Sequence, residues 1–167
     1  NFTADEINRK WCTDFTYLFL ANHEVRYNCT IIDLHDRSVI ANITDRNITS
    51  DLSIRTLRKA LESQQTIKEG LILHSDQGSQ YTSKAFTEFC ESVNVTQSMS
   101  KAGYPYDNAP MERYFNTLKN ECTNLYEFTT EETLYQKVEE FAYVDYNHVR
   151  PHSYNGYRTP YEARTAA

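Results

Sequence analysis

WCTDFTYLFLANHEVRYNCTIIDLHDRSVIANIT, residues 11–44, holds three runs whose side chains alternate in character. In the first, Trp11, Thr13, Phe15 and Tyr17 alternate with Cys12, Asp14, Thr16 and Leu18, the period of a β-strand. Val25, Tyr27, Cys29 and Ile31 mark a second run. A polar turn, His35 to Arg37, leads into a third, Ser38 to Thr44. Connections this short force neighbouring strands to run antiparallel, so the stretch predicts a three-stranded meander.

Beyond it the period changes. Ile54, Leu57 and Leu61 recur at helical spacing between about Ser50 and Gln64. Gly70–His74 carries Leu71, Ile72 and Leu73 in succession, the pattern of a central strand covered on both faces. Ser83 is suited to cap a helix with Phe86, Phe89, Cys90 and Val93 on one stripe. Asn94–Met99 reads as a short fifth strand, and Ala109–Thr123 as a helix. A last long helix starts at a capping box, Thr129 to Glu132, and buries Leu134, Val138, Phe141 and Ala142. The order predicts an α/β fold: a mixed five-stranded sheet, three antiparallel strands followed by parallel crossovers, flanked by helices. The first strand should lie beside the fourth and parallel to it.

The chain has 167 residues, enough for one domain with a proper core, and only four glycines and four prolines to mark a boundary. No apolar run approaches the roughly 20 residues needed to span a bilayer. The start, NFTADEINRK, reads as the remnant of a linker (residues 1–8) rather than a signal peptide. Cys12, Cys29, Cys90 and Cys122 are scattered without a CxxC pair, which argues against zinc and for reduced thiols in a cytoplasmic protein. The five N-x-S/T triplets are read as chance matches. His148 and His152 stand four apart, but Pro151 between them breaks the helical geometry of a metal pair. A net charge of −6 argues against a protein whose affinity rests on a broad basic surface, though not against an enzyme that needs acidic ligands.

Three acids carry the functional question. Asp14 sits among strand formers, as an edge-strand acid facing water or as a ligand. Asp76 follows the apolar strand in HSDQGSQYTS (74–83), where Asp-x-Gly is equally ordinary turn chemistry. Glu112 opens the helix in DNAPMERYFNTLKNE, with Pro110 at an early helical position. With Asn116 and Lys119 it forms a polar stripe beside the apolar one of Met111, Phe115, Leu118 and Cys122, facing either solvent or a cleft. Three carboxylates converging from separate elements would suit a hard cation such as Mg²⁺. In the loop before this helix, Tyr104 and Tyr106 are the better placed of the many tyrosines to stack on DNA bases.

WCTDFTY (11–17), HSDQGSQYTS (74–83), QSMSKAGYPYDNAPMERYFNTLKNE (97–121) and YNHVRPHSYNGYRTPYEA (146–163) together resemble the second-frame transposases of IS-three-type insertion sequences. That group is the DDE class, with a retroviral-integrase-like core of the RNase H fold. The spacing of 35 residues between Asp76 and Glu112 is characteristic of it. The resemblance makes Asp14, Asp76 and Glu112 the catalytic ligands of Mg²⁺ or Mn²⁺, two ions in all. It places Lys119 against terminal DNA phosphate and Asn116, Gln77, Gln80 and Tyr106 near the DNA. It matches Asp107 and Asn108 to a DN pair, where helix capping by Asn108 is the simplest role. Arg150, Pro151 and His152 belong to a closing motif that docks a tail, 148–167, onto the core. The implied activity is metal-dependent strand cleavage and strand transfer on insertion-sequence ends and target DNA, by a homo-oligomer in the bacterial cytoplasm at the nucleoid. The family's N-terminal DNA-binding region has no counterpart in these residues and is expected upstream. Two rivals stand beside this reading: a nuclease of the same fold without strand transfer, and a non-catalytic DNA-binding or assembly module.

Overall fold

The computed structural model describes residues 2–67, 69–100 and 108–166. Its centre is a five-stranded sheet in the order β3-β2-β1-β4-β5. Strands β1 (Lys10–Phe19), β2 (Val25–Asp33) and β3 (Val39–Asp45) form the antiparallel meander, and β4 (Ile72–Ser75) pairs parallel with β1. The short edge strand β5 (Thr96–Met99) pairs parallel with β4. Helix α1 (Ser50–Ser63) precedes β4. A one-turn helix α2 (Ser79–Thr82) and α3 (Lys84–Ser92) lie between β4 and β5. Helices α4 (Ala109–Glu121), α5 (Glu131–Glu140) and α6 (Pro160–Thr165) complete the chain. The mixed sheet and its strand order are as the sequence predicted. Among the described residues no helix is long and apolar enough to cross a membrane.

Alternation along the strands sorts the core onto two faces. Trp11, Ile31, Ala41, Leu71 and Leu73 join Leu57, Tyr81 and Phe86 beneath α1–α3. Cys12, Leu18, Ile32 and Val39 join Met111, Leu118, Leu134 and Val138 beneath α4 and α5. Each cluster removes apolar surface from water, and this burial is the main favourable contribution to the fold. β4 is covered unequally: Leu71 and Leu73 are buried, whereas Ile72 and His74 are half-buried. The expectation of equal cover is corrected here, because α4 packs on β1 instead.

Several caps differ from expectation in register. Ser83 accepts from the Phe86 N–H as expected. The box expected at Thr129 is shifted, with Thr130 accepting from the Thr133 N–H, and adjacent threonines are equally able to serve. A complete capping box stands instead at Thr159 and Glu162. The last long helix also changes its winding: Phe141–Val149 is π-helical. From that segment Asn147 accepts from Val39 N and donates to Val39 O, at 2.9 and 3.0 Å. The Tyr143 hydroxyl accepts from Asn42 N and Lys59 donates to Asn42 O. The outer edge of β3 is thus capped by side chains, which blocks pairing with another strand.

The polar turn after β2 is not a solvated loop. Asp33 and Asp36 are fully buried, and Arg164 of α6 donates to both, at 2.9 and 2.8 Å. The same guanidinium donates to Asn8 and to Gln64 just beyond α1, while Asn8 N donates to Asp33. Burial, then repulsion from Asp36, holds the Asp33 carboxyl above its ordinary range. An acid raised on folding is charged at a cost, so its native state loses stability as pH rises above the ordinary carboxylate range. Arg164→Met strands two buried carboxylates and should cost about 3–5 kcal/mol at pH 8. Urea unfolding should find the loss smaller at pH 5, where protonation relieves it.

Candidate active site

The three predicted acids converge on the corner where β1, the end of β4 and the start of α4 meet. In the parallel pairing Cys12 lies opposite His74, so Asp14 and Asp76 each stand two residues further along. Alternation directs both toward the α4 side of the sheet, with neighbouring strands about 4.8 Å apart. Glu112 is exposed in the first turn of α4, behind Pro110.

Thr13 holds the corner together. Its hydroxyl meets the buried hydroxyl of Tyr81, in α2, at 3.1 Å. Its backbone carbonyl accepts from Asn108 Nδ2 at 3.0 Å. The residue before Asp14 therefore binds both the loop that carries Asp76 and the residue at which the Glu112 helix starts. Asn108 corrects an expectation, because its side chain makes no capping bond to α4. It is spent on β1, 95 residues away, and no local signal points there.

Within HSDQGSQYTS, β4 ends at Ser75, whose carbonyl accepts from Ser100 N. Asp76 Oδ1 accepts from Gly78 N at 2.8 Å, so turn chemistry and an aimed carboxylate coexist. A Cβ at Gly78 would stand 2.8 Å from that oxygen and 3.0 Å from Gln80 Oε1, which explains the glycine despite its ordinary φ of −59°. Asp14 Oδ1 likewise accepts from Phe15 N at 2.8 Å. Both aspartates are thus oriented by backbone donors of their own segments.

Burial, with the charges of Asp76 and Glu112 next, raises the Asp14 carboxyl to about 6, against the opposing bond from Phe15 N. The acids are close enough to repel, yet among the described residues no three are arranged as a ready-made metal cage. Of the predicted DNA contacts, Asn116 is exposed and Lys119 half-buried on α4, Gln77 is exposed and Gln80 half-buried. Tyr104, Tyr106 and Asp107 lie outside the described residues. Missed by sequence reasoning were Thr13 and Tyr81, and Asn108 was given another role; all three position the acids without being acidic.

Residues 4–105 match the family model described as integrase core domain, and residues 93–160 match a second model of that description. The transposase for insertion sequence element IS904 of Lactococcus lactis is 33% identical over 160 residues, covering 95% of this chain and 62% of that protein. Transposase InsF for insertion sequence IS3A of Escherichia coli is 34% identical, covering 96% and 55%. The chain thus spans little more than half the length of these relatives. The HTLV-2 integrase catalytic core domain, solved in complex with magnesium, superposes with a TM-score of 0.73 at 18% identity, covering 96% of this chain and 99% of that one.

The Asp14 shift gives a direct test. With a folded value near 6 and an ordinary value near 3.8, the charged form destabilises the native state progressively between those pH values. Asp14→Asn keeps the acceptor for Phe15 N and removes the charge. In metal-free buffer it should stabilise the protein by about 3 kcal/mol at pH 8 and by nothing at pH 3.5. Equal effects at both pH values in urea unfolding would remove the case for charge crowding at this corner.

Proposed function

The chain belongs to the integrase core domain family, and on that premise we propose that it is the catalytic core of a transposase that cuts and joins DNA. The observation that carries this reading is the meeting of Asp14, Asp76 and Glu112, with Asp14 raised first by burial and then by its acidic neighbours. A structural corner has no physical use for three crowded carboxylates, whereas phosphoryl transfer does. Their oxygen donors suit Mg²⁺, or Mn²⁺ in its place, and a pair of ions is the fitting complement. When bound, such a cation neutralises the scissile phosphate and lowers the pKa of an attacking hydroxyl. The magnesium in the HTLV-2 integrase core supports this assignment.

The chain's own residues supply position. Asp14 and Asp76 are fixed to rigid backbone through Phe15 N and Gly78 N, each keeping a second oxygen for a ligand. Glu112, on the exposed face of α4, closes the site from the other side. Asn116 and Lys119 continue that helix face by one and two turns and track the strand backbone, with Lys119 against phosphate. Gln77 and Gln80 approach from the loop of Asp76, and Tyr106, outside the described residues, is proposed as a further DNA contact from the sequence alone. Water as nucleophile yields a nick, and a DNA 3′-hydroxyl yields a joined strand; the two share one in-line geometry.

The substrates on this reading are insertion-sequence ends and target DNA, handled by a homo-oligomer in the bacterial cytoplasm. Residues 1–167 act as one core unit, with 148–167 as a tail packed upon it. Supporting that tail are the bonds of Arg150 to Glu121, Asn155 to the Asp36 carbonyl, and Arg164 to Asp33.

The test is a labelled duplex carrying an element end and a free 3′-hydroxyl, incubated with the protein and Mg²⁺ or Mn²⁺. Nicked and joined products are expected, and Asp76→Asn should reduce both by at least about 100-fold. Nicking without joining would favour a nuclease of the same fold. DNA binding without cleavage under either metal would leave a binding module and overturn the proposal.

A further inference from the structure

Against the first turn of α4 lies a cavity of about 290 Å³ whose lining includes Pro110 and Arg113 of α4, Arg37, Tyr146, His152 and Tyr154, but not Glu112. In a chain of net charge −6, no Asp or Glu is among the described residues that line it. Arg37 is only 9% exposed, and its Nη1 is buried without a hydrogen-bond partner among the described residues. Its guanidinium carbon lies 3.9 Å from the ring centre of Tyr154, a contact that fixes the plane and leaves in-plane donors unused. A buried guanidinium without an acceptor is costly, and Arg37 also holds a left-handed backbone, φ 66°. Arg113, one residue after Glu112, brings a second cation to the same cavity. Arg150 adds no free charge, being paired in a fork with Glu121.

We propose that this cavity is an anion site that takes a phosphate group, with Arg37 as its buried donor and Arg113 as its outer one. The planar guanidinium fork matches two phosphate oxygens, and the aromatic walls accept a flat apolar body attached to the phosphate. The volume is that of a small ligand, at the lower end of the usual range for pockets. An occupant bridges α4 and the segment from Tyr146 to Tyr154, so it braces the turn that carries Glu112. The same chemistry is offered by a free nucleotide and by a phosphate of a DNA strand. The proposal does not depend on strand transfer, since the binding requires neither metal nor cleavage.

His152 reports occupancy. Burial, then the charges of Arg37, Arg150 and Arg113, push its imidazole down to about 4, while the adjacent Tyr146 ring packs edge-on against it. An anion between the two unpaired arginines offsets part of that charge and should raise the His152 value by about one unit. The experiment follows the His152 ring protons by NMR in metal-free buffer. The probes are inorganic phosphate, deoxyadenosine monophosphate and a short single-stranded oligonucleotide, each added separately. Saturable binding with an upward His152 shift is expected, weakened about tenfold or more in Arg37→Gln. Arg113→Gln, at an exposed position, decides the matter if the buried substitution fails to fold. Response to phosphate or the mononucleotide assigns the site to free anions, and response to the oligonucleotide alone assigns it to a DNA strand. An unmoved His152 with all three probes, or unchanged affinity in the folded variants, overturns the proposal.

Discussion

Everything at the candidate site depends on Thr13. One hydroxyl and one carbonyl of a single residue join β1 to Tyr81 on one side and to Asn108 on the other. The sheet alone places Asp14 and Asp76 at one level, because parallel register is fixed by backbone bonds. It does not place Glu112, which arrives on a helix packed only at its apolar stripe. The Asn108 bond sets where that helix begins, and so which of its faces meets the sheet. A buried amide-to-carbonyl bond contributes only about 1 kcal/mol net, yet leaving that carbonyl without its donor costs more than the bond gives. Small energies therefore enforce the placement of groups that repel.

The chain separates its charges in space. Acids crowd at the end of β4 and the start of α4, whereas Arg37 and Arg113, which make no ion pair among the described residues, line the cavity against the same helix turn. The overall balance of −6 conceals this arrangement completely. Glu112 and Arg113 are neighbours in sequence, and a helical rotation of about 100° per residue turns them onto different faces, only Arg113 of the two lining the cavity. One turn of helix thus carries an acid and a base on different faces.

How much of this was legible beforehand follows from the range of each interaction. The three meander strands were readable because a period of two is written into local sequence, the fourth because its apolar run is continuous, and Ser83 was readable as a cap because its partner is three residues away. The acidic trio was proposed from its spacing and its resemblance to a known group. Asn108 was misjudged because its partner is 95 residues distant. Asp36 looked like a member of a polar turn and Asp33 drew no reading, because Arg164, which holds both, lies 128 and 131 residues away. The π-helical winding of Phe141–Val149 had no cue in a pattern that fits an ordinary helix equally well. Local periodicity encodes elements, while a lone polar side chain carries no record of its distant partner.

Arg164 has a consequence for anything attached to this core. Its guanidinium touches Asn8, which precedes the first strand, and it belongs to the last helix. The segment ahead of the first strand and the last helix are therefore moored to one another by one side chain, and a load on either is felt by the other.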